Sequence, residues 1–234
     1  LLACAALGWL GWDWTHARSL DAAANSIFDT VVQWRPIEPK PSGKTVVVEI
    51  DECSIDWTRR QGLGGWPWPR SVHADLLDAL DRAGARAVGV DVMFIDRDPR
   101  DPDGDGMLDA VAAGGEGRFL FAASSQSADF NEEAALRASQ APGAYPLSPD
   151  AGKPGPAVAI LLPYGEAMAR HAALTNINRD QDSVVRDVGL REVAGDWAIP
   201  TLPVRLAAQV QGRPASAYPA RIRINWRQHS RMPY

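Results

Sequence analysis

The most constraining feature of this sequence is a run that predicts a β-strand, an α-helix and a second β-strand. Residues 44–51, KTVVVEID, form a continuous apolar segment rich in valine, which is typical of a strand buried on both faces. Apolar residues then recur at helical spacing between a predicted N-cap at Ser71 and a terminating glycine at Gly84. Residues 85–94, ARAVGVDVMF, follow as a second buried strand. The pattern predicts a βαβ unit with a right-handed crossover.

The same alternation continues along the chain and predicts the fold class. Residues 118–124 are a third predicted strand, residues 172–193 a hairpin, and residues 220–226 a last strand. A Pro/Ala/Ser-rich stretch, about 131–156, is predicted to be an exposed insert. The 234 residues suffice for one sizeable core. We therefore predict a three-layer α/β fold with a mixed, mostly parallel sheet flanked by helices.

The N-terminal region, residues 1–36, differs from the rest. An apolar run ends at Trp12, too short for the roughly 20 residues that cross a bilayer, and tryptophans of the kind enriched at membrane interfaces follow. We predict the end of a transmembrane span; a buried helix and a signal-peptide remnant are the alternatives. Apolar residues in 20–34 indicate a long juxtamembrane helix. A proline-rich linker follows, and the globular domain is predicted at 37–234.

Charge and cysteine content exclude some classes of function. The net charge is -5 and no basic stripe interleaves with aromatic residues, so nucleic-acid binding has no electrostatic basis. The two cysteines, Cys4 and Cys53, lie in different contexts and form no disulfide framework. The four histidines lack metal-ligand spacing, and neither a Gly-x-Ser-x-Gly elbow nor a P-loop is present. The sequence therefore offers little support for an enzyme.

Two carboxylates end the first two predicted strands. Asp51 follows VVVEI and Asp91 follows AVGV. If those strands are neighbours, both side chains face the crevice in which open α/β sheets bind ligands. A carboxylate pair there holds a metal or performs acid–base chemistry. In the competing interpretation, each aspartate caps a loop or pairs with an arginine such as Arg70.

An acidic segment resembles the first half of a calcium-binding loop. Its oxygen donors would be Asp101, Asp103, Asp105 and Asp109, and Gly106 stands where such loops need a glycine. Position 12 is Ala112, so the bidentate glutamate is absent. The alternative is a solvated acidic turn in which Asp105 caps a helix that begins near Met107. Calcium is thus a candidate cofactor.

The stretch WPWPR, residues 66–70, enters the second helix. Each proline holds the tryptophan before it extended, and Pro69 is placed where a missing N–H costs little. Alternating positions of an extended chain point in opposite directions, so we expect Trp66 and Trp68 to lie on different faces. One is expected in the core; the other lines the crevice with Arg70. Trp68 and Arg70 are the candidate ligand contacts, together with Asp51 and Asp91.

Five segments together resemble a known family, the second family of CHASE domains (cyclases/histidine kinases associated sensory extracellular). These segments are VVVEIDECSID, GGWPWPRSVHADLLDALDRAGARAVGVDVMF, DGDGMLDAV, NINRDQDSVVRDVGL and IPTLPVRLAAQV. The N-terminal NSIFDTVVQWRP also resembles the helix after that family's first membrane span. The resemblance covers residues 25–226, apart from the insert, and WPWPR followed by AVGVDVMF is its most specific element.

The resemblance implies a location and a role. Such domains lie outside the cytoplasm between membrane spans and precede an intracellular nucleotide cyclase, histidine kinase or serine/threonine kinase. It implies an inner-membrane receptor whose sensory domain, residues 37–234, faces the periplasm or the outside and is not itself an enzyme. A homodimer through the helix in 20–34, binding an unknown small ligand or envelope protein, is expected.

Two other functions remain open on the residues alone. One is a membrane-anchored metal-dependent hydrolase that uses Asp51, Asp91 and the acidic loop 96–109. The other is an interaction module of an envelope complex.

Overall fold

The computed structural model describes residues 2–12, 19–34, 42–126, 135–177 and 183–224. The chain divides into two compact units. One contains residues 1–48 and 224–234, and the other contains residues 49–223.

The first unit contains two helices, α1 (Leu2–Trp12) and α2 (Ser19–Trp34). Within the described residues, no helix is both long enough and apolar enough to cross a membrane. The predicted strand at 44–51 is wrong, because residues 45–50 pair with no other described segment and Val46, Val47 and Val48 are exposed. An apolar run becomes a strand only where a neighbouring strand satisfies its backbone groups.

The described part of the second unit holds five α-helices. They are α3 (Glu52–Arg60), α4 (Arg70–Arg82), α5 (Pro102–Gly114), α6 (Glu166–Arg170) and α7 (Leu202–Gln211). Helix α4 matches the predicted helix and ends as expected, with Gly84 in the left-handed region at φ +81°. Helix α3 lies in a segment for which no helix was predicted.

The main sheet has five strands around β2 (Phe119–Gln126). Strands β1 (Val88–Val90) and β6 (Ala172–Leu174) pair with β2 in parallel. Strand β5 (Ala157–Leu161) pairs with it antiparallel and carries β3 (Ala135–Arg137) on its other edge. The mixed sheet is confirmed, but parallel pairing is limited to the two neighbours β1 and β6. The βαβ unit is β1–α5–β2, one step later along the chain than predicted.

The remaining strands form two small antiparallel sheets. Strand β9 (Trp197–Pro200) lies between β4 (Tyr145–Pro146) and β8 (Arg191–Ala194), and β10 (Arg221–Arg223) pairs with β7 (Asp187–Gly189). The predicted hairpin at 172–193 is wrong, because β6 joins the main sheet and β7 joins β10. The predicted exposed insert at about 131–156 is partly wrong too, since β3, β4 and the buried Ala138 belong to the fold, while residues 131–134 lie outside the described residues.

Strand β2 is buried on both faces, as a central strand of a three-layer fold requires. Phe119 and Phe121 pack with residues of α4, α5 and α6 on one face. Leu120 packs with Leu202 and Leu206 of α7 on the other. Helices therefore flank the sheet on both sides. The carboxyl end of β1 leads into the loop 91–101, whose polar side chains bond to the N-terminal parts of α4 and α5.

Candidate functional site

Asp101 joins the N-terminal ends of α4 and α5. Its Oδ1 accepts a hydrogen bond from the Gly104 N–H at 3.2 Å, which makes it the N-cap of α5. Its Oδ2 accepts from both the N–H and the hydroxyl of Ser71, at 2.8 and 2.7 Å, inside the first turn of α4. The bonds from the Ser71 backbone and hydroxyl lower the pKa of Asp101. One carboxylate therefore caps two helices, and Ser71 is not the N-cap that the sequence predicted.

The glycine after this cap makes the close approach possible. A Cβ added to Gly104 would overlap the Asp101 carboxylate and come within 2.6 Å of the Ser71 nitrogen. Only a residue without a side chain fits between the two helix ends. The Asp-Pro-Asp-Gly pattern that resembled a calcium loop is, in this structure, the sequence of a helix junction.

Asp105 lies within α5, buried under the loop. Both of its carboxylate oxygens accept from the Asp98 N–H, at 3.2 and 3.1 Å. The Arg70 Nε is 3.7 Å from Oδ1. The alternative role predicted for Asp105, capping a helix that begins near Met107, is wrong because α5 begins at Pro102 with Asp101 as its cap.

The first residue of α4, Arg70, is packed between two aromatic rings. Its guanidinium carbon lies 4.6 Å from the centroid of Phe94 and 5.8 Å from that of Tyr164. Its Nη2 donates to the Asp96 carbonyl oxygen at 3.0 Å. The Tyr164 hydroxyl donates to the Asp105 carbonyl, and burial raises the pKa of Tyr164. The Arg70 side chain is thus mostly buried and helps hold the loop in place.

Asp98 and Arg100 form the outer edge of the junction. The Arg100 Nε and Nη2 each donate to a different oxygen of the buried Asp98 carboxylate, both at 2.9 Å. The hydrogen bonds from Arg100 lower the pKa of Asp98 to about 2. The Arg100 Nη2 also lies 3.3 Å from the Pro67 carbonyl oxygen, so this pair connects the loop to the WPWPR stretch.

Trp68 is the buried tryptophan of the pair and Trp66 the accessible one. Trp68 is 7% exposed and its Nε1 donates to the Thr58 hydroxyl of α3 at 2.9 Å. Trp66 is 46% exposed. The expectation that they occupy different faces is wrong, because bends at residues 65–67 interrupt the extended chain and bring the two ring centroids within 6.0 Å.

His73 connects these tryptophans to the core. Its ring lies 5.7 Å from Trp68 and 5.0 Å from Phe94, centroid to centroid. Burial, followed by the nearby Arg70 cation, lowers the pKa of His73 to about 4. The imidazole is therefore neutral at neutral pH and packs as an aromatic ring.

Asp51 and Asp91 have different environments. Asp51 is the N-cap of α3, and its Oδ1 accepts from the Ser54 N–H at 2.8 Å and from the Ser54 hydroxyl at 2.6 Å. These bonds lower the pKa of Asp51. Asp91 is exposed directly after β1. The capping interpretation of Asp51 is the one that the structure shows. The signal for the missed helix was Asp51 three residues before Ser54.

The four carboxylates of the acidic segment point to different parts of the fold. Asp101 bonds to Ser71, Asp105 bonds to Asp98, and Asp109 accepts from the Ala167 and Met168 N–H groups at 3.0 and 3.1 Å. Asp103 is exposed. Across the described ranges, no three His, Cys, Asp or Glu side chains come together as metal ligands. The calcium site stays a prediction that this arrangement does not favour.

Most members of this junction were not candidates from the sequence alone. Asp98, Tyr164 and His73 were missed, and Ser71 was given a different role, because these roles depend on contacts that the sequence pattern does not show. Among the described residues, the polar groups of the junction mainly bond to one another and to backbone, as in a buried polar network that fixes the positions of the segments it joins. The structure is thus that of a mixed α/β domain in which the loop 91–101 positions the N-terminal ends of α4 and α5.

Comparison with known families identifies the particular family. The CHASE2 domain family model matches residues 1–234. The chain therefore belongs to the CHASE2 family, whose members are extracytoplasmic sensory domains of membrane receptors. The resemblance noted from the WPWPR segment is confirmed. Searches of curated proteins and of solved structures returned no match.

Proposed function

We propose that this chain is the ligand-sensing part of a bacterial inner-membrane receptor that passes its signal to an intracellular cyclase or kinase. The observation that carries the proposal is the CHASE2 match over residues 1–234. In this proposal residues 1–36 lead from the membrane, residues 37–234 face the periplasm or the outside, and this part of the receptor performs no catalysis.

The ligand is proposed to act at the exposed edge of the α4–α5 junction. Trp68 is buried and the Arg70 side chain is only 13% exposed, whereas Trp66 and the Arg100 side chain are accessible, although Trp68 and Arg70 were the candidates from the sequence. Arg100 holds both the Asp98 carboxylate and the Pro67 carbonyl. A small molecule or envelope protein that engages Trp66 and Arg100 would therefore bias the position of the loop and the two helix ends, as a sensor requires.

The proposed extracytoplasmic location can be tested by labelling a native cysteine. Cys53 is exposed, so a membrane-impermeant maleimide should label it in intact spheroplasts of cells that express the full-length protein. The reporter is the Cys4→Ser variant, in which Cys53 is the remaining cysteine of this chain, and the Cys4→Ser/Cys53→Ser variant gives the background. Labelling that requires cell lysis would overturn the extracytoplasmic assignment.

The proposed ligand contact at Trp66 can be tested by measuring the thermal stability of variants. A thermal-shift screen of periplasmic small molecules, with and without divalent ions, should reveal a stabilising organic ligand whose effect is lost in Trp66→Ala. Trp57→Ala is the matched control, because Trp57 is also an exposed tryptophan, on α3. Equal loss in both variants would argue against the junction edge. Stabilisation by a divalent ion, lost on Asp51→Asn and Asp91→Asn, would instead support the metal-dependent hydrolase.

The proposed signalling output can be tested by sequencing the gene that encodes the full-length protein. The coding sequence beyond residue 234 should encode apolar membrane spans followed by a cyclase or kinase domain. A different organisation would refute the receptor proposal directly.

A further inference from the structure

Arg191 of β8 and Arg205 of α7 are two cations without a carboxylate partner in the part of the chain that the structure describes. Both residues are half-buried. By contrast, Arg100 and Arg118 each form an ion pair with an aspartate. A guanidinium that is partly removed from water normally lies beside an anion, because an uncompensated charge is unfavourable in the interior of a protein. The missing counter-charges of Arg191 and Arg205 therefore need an explanation.

Arg205 is held by a neutral group instead of an anion. Its Nη1 donates a hydrogen bond to the carbonyl oxygen of Ala172, at the start of β6. Burial lowers the pKa of Arg205. Burial, followed by the Arg205 and Arg170 cations, also lowers the pKa of the neighbouring His171. The start of β6 therefore lies in a positive electrostatic potential.

Arg191 has a buried donor that is not used. Its Nη1 donates to the hydroxyl oxygen of Tyr145, on β4, at 3.2 Å. Its Nε is buried and has no hydrogen-bond partner among the described residues. Nearly all buried N–H groups in folded proteins have an acceptor, and an ion from outside the chain is one of the acceptors that explain an exception. The Arg191 Nε thus indicates an acceptor that the chain does not supply.

Both guanidinium groups reach one turn, residues 142–145. Gly143 is exposed in this turn and has a left-handed backbone at φ +73°. A methyl group added to Gly143 would lie 3.1 Å from the Arg205 Nε and 3.2 Å from the Cγ of Pro200. Pro200 is paired with Arg191 across β8 and β9, so these two side chains lie on the same face of the sheet. The glycine therefore leaves space for a ligand atom beside the two cations.

We propose that Arg191 and Arg205 form a binding site for an oxyanion, the phosphate or carboxylate group of a small molecule. A guanidinium can donate two parallel N–H bonds to such a group. The Tyr145 hydroxyl accepts a bond from Arg191, which leaves its own proton free for the same oxyanion. The ligand would supply both the acceptor for the Arg191 Nε and the counter-charge for Arg205. This site uses no residue of the α4–α5 junction and does not rest on the proposed receptor function.

Thermal unfolding of the full chain tests the site with two probes, inorganic phosphate and succinate. Sodium chloride at equal ionic strength is the reference for both. We expect phosphate, succinate or both to raise Tm by about 3–6 °C at about ten times the dissociation constant. An effect of phosphate alone would assign a phosphate ligand, and an effect of succinate alone would assign a carboxylate ligand.

Three variants locate the effect. Arg191→Gln and Arg205→Gln should each lose the stabilisation by the oxyanion. Arg86→Gln is the matched control and should keep it, because Arg86 is an exposed arginine whose Nη2 also donates to a backbone carbonyl oxygen, that of Val210, at 2.9 Å. Far-UV circular dichroism checks the fold of each variant. If Arg205→Gln does not fold, Arg191→Gln decides the outcome.

A second measurement needs no variant. Phenylglyoxal modifies arginine side chains, and mass spectrometry measures its rate at each position of the wild-type chain. At about ten times the dissociation constant the bound oxyanion should slow the modification of Arg205 about ten-fold and leave that of Arg86 unchanged.

The proposal would be overturned by any of four results. These are a wild-type Tm that neither oxyanion raises above the chloride reference, a shift that survives in folded Arg191→Gln or Arg205→Gln, a shift that Arg86→Gln also loses, and equal protection of Arg86 and Arg205 from phenylglyoxal. The Cys53 labelling experiment does not depend on this site, so such a failure would leave the extracytoplasmic sensor standing.

Discussion

The α4–α5 junction and the exposed seam of α2, which consists of Ala24, Ile27, Val31 and Trp34, differ in whether their side chains have partners within the chain. At the junction, buried polar groups such as Asp101 and Asp98 have partners supplied by the same chain. Along the seam, Ile27 and Trp34 are apolar and exposed. A buried polar group needs a hydrogen-bond partner within the fold, because leaving it unpaired lowers the free energy of unfolding by about 1–3 kcal/mol. An exposed apolar side chain changes that free energy little, and it contributes stability only when a partner covers it. Variants at the junction therefore test the stability of the fold, and variants in the seam test association with a partner.

The largest effect should come from pH, acting on the buried His73. In the unfolded chain the imidazole has a pKa of 6.5, and burial lowers it to about 4 in the fold. Between these values the unfolded chain binds more protons, so the free energy of unfolding should fall as the pH drops from 6.5 to 4, by about 3 kcal/mol. Urea unfolding at a series of pH values measures this fall.

His73→Gln is the control for that pH profile. It should flatten the profile, leaving the smaller contribution of His171, whose pKa burial also lowers. The lowered pKa of Asp98 acts only at more acidic pH, below its ordinary value of 3.8. A wild-type profile that is flat from pH 6.5 to 4 would contradict the buried, neutral assignment of His73.

Gly104→Ala should be the most damaging single change at the junction. The new methyl group would meet the Asp101 carboxylate and the Ser71 nitrogen, so we expect a loss of about 2–3 kcal/mol in the free energy of unfolding. Gly106→Ala is a matched control on the same helix, because nothing lies within 4 Å of its added Cβ. That variant should be neutral or stabilised by up to about 1 kcal/mol. Similar losses in both variants would refute the close packing at Gly104.

Removing Asp101, the cap that α4 and α5 share, should lower the free energy of unfolding somewhat less than Gly104→Ala does. Asp101→Ala deprives two helices of one carboxylate, and each lost cap costs about 1 kcal/mol, so a loss of about 2 kcal/mol is expected by urea unfolding. Asp103→Ala, at an exposed position two residues later, should change the stability by less than about 0.5 kcal/mol. If the two variants behave alike, Asp101 does not hold both helices.

The smallest effect on folding should come from the seam. Ile27→Ser and Val31→Ser replace exposed side chains, so each should alter the free energy of unfolding of the monomer by less than about 0.5 kcal/mol. Val32→Ser, on the half-buried face, should cost more. A large loss from Ile27→Ser would show that the seam is covered within one chain, and the contrast with the junction would disappear.

Particular residues show how far the sequence could be interpreted. The periodicity of α4 and its glycine stop were predicted, because a helix face and a left-handed glycine depend on local geometry. The strand at 44–51 was predicted wrongly, since valine content says nothing about whether a neighbouring strand is available. Calcium was a candidate for the acidic segment, beside a solvated turn, because its spacing matches the first half of a calcium loop and the folded contacts of its carboxylates cannot be inferred from spacing.

The sequence by itself determined the family, through WPWPR and the segment AVGVDVMF, together with the α/β class and the helical repeat of α2. These follow from short-range patterns. The tertiary structure decided that Asp101 joins two helices across thirty positions of sequence, that Trp66 rather than Trp68 is accessible, and that Ile27, Val31 and Trp34 remain uncovered. Burial and partnership depend on which distant segments meet, and that information exists only once the chain has folded.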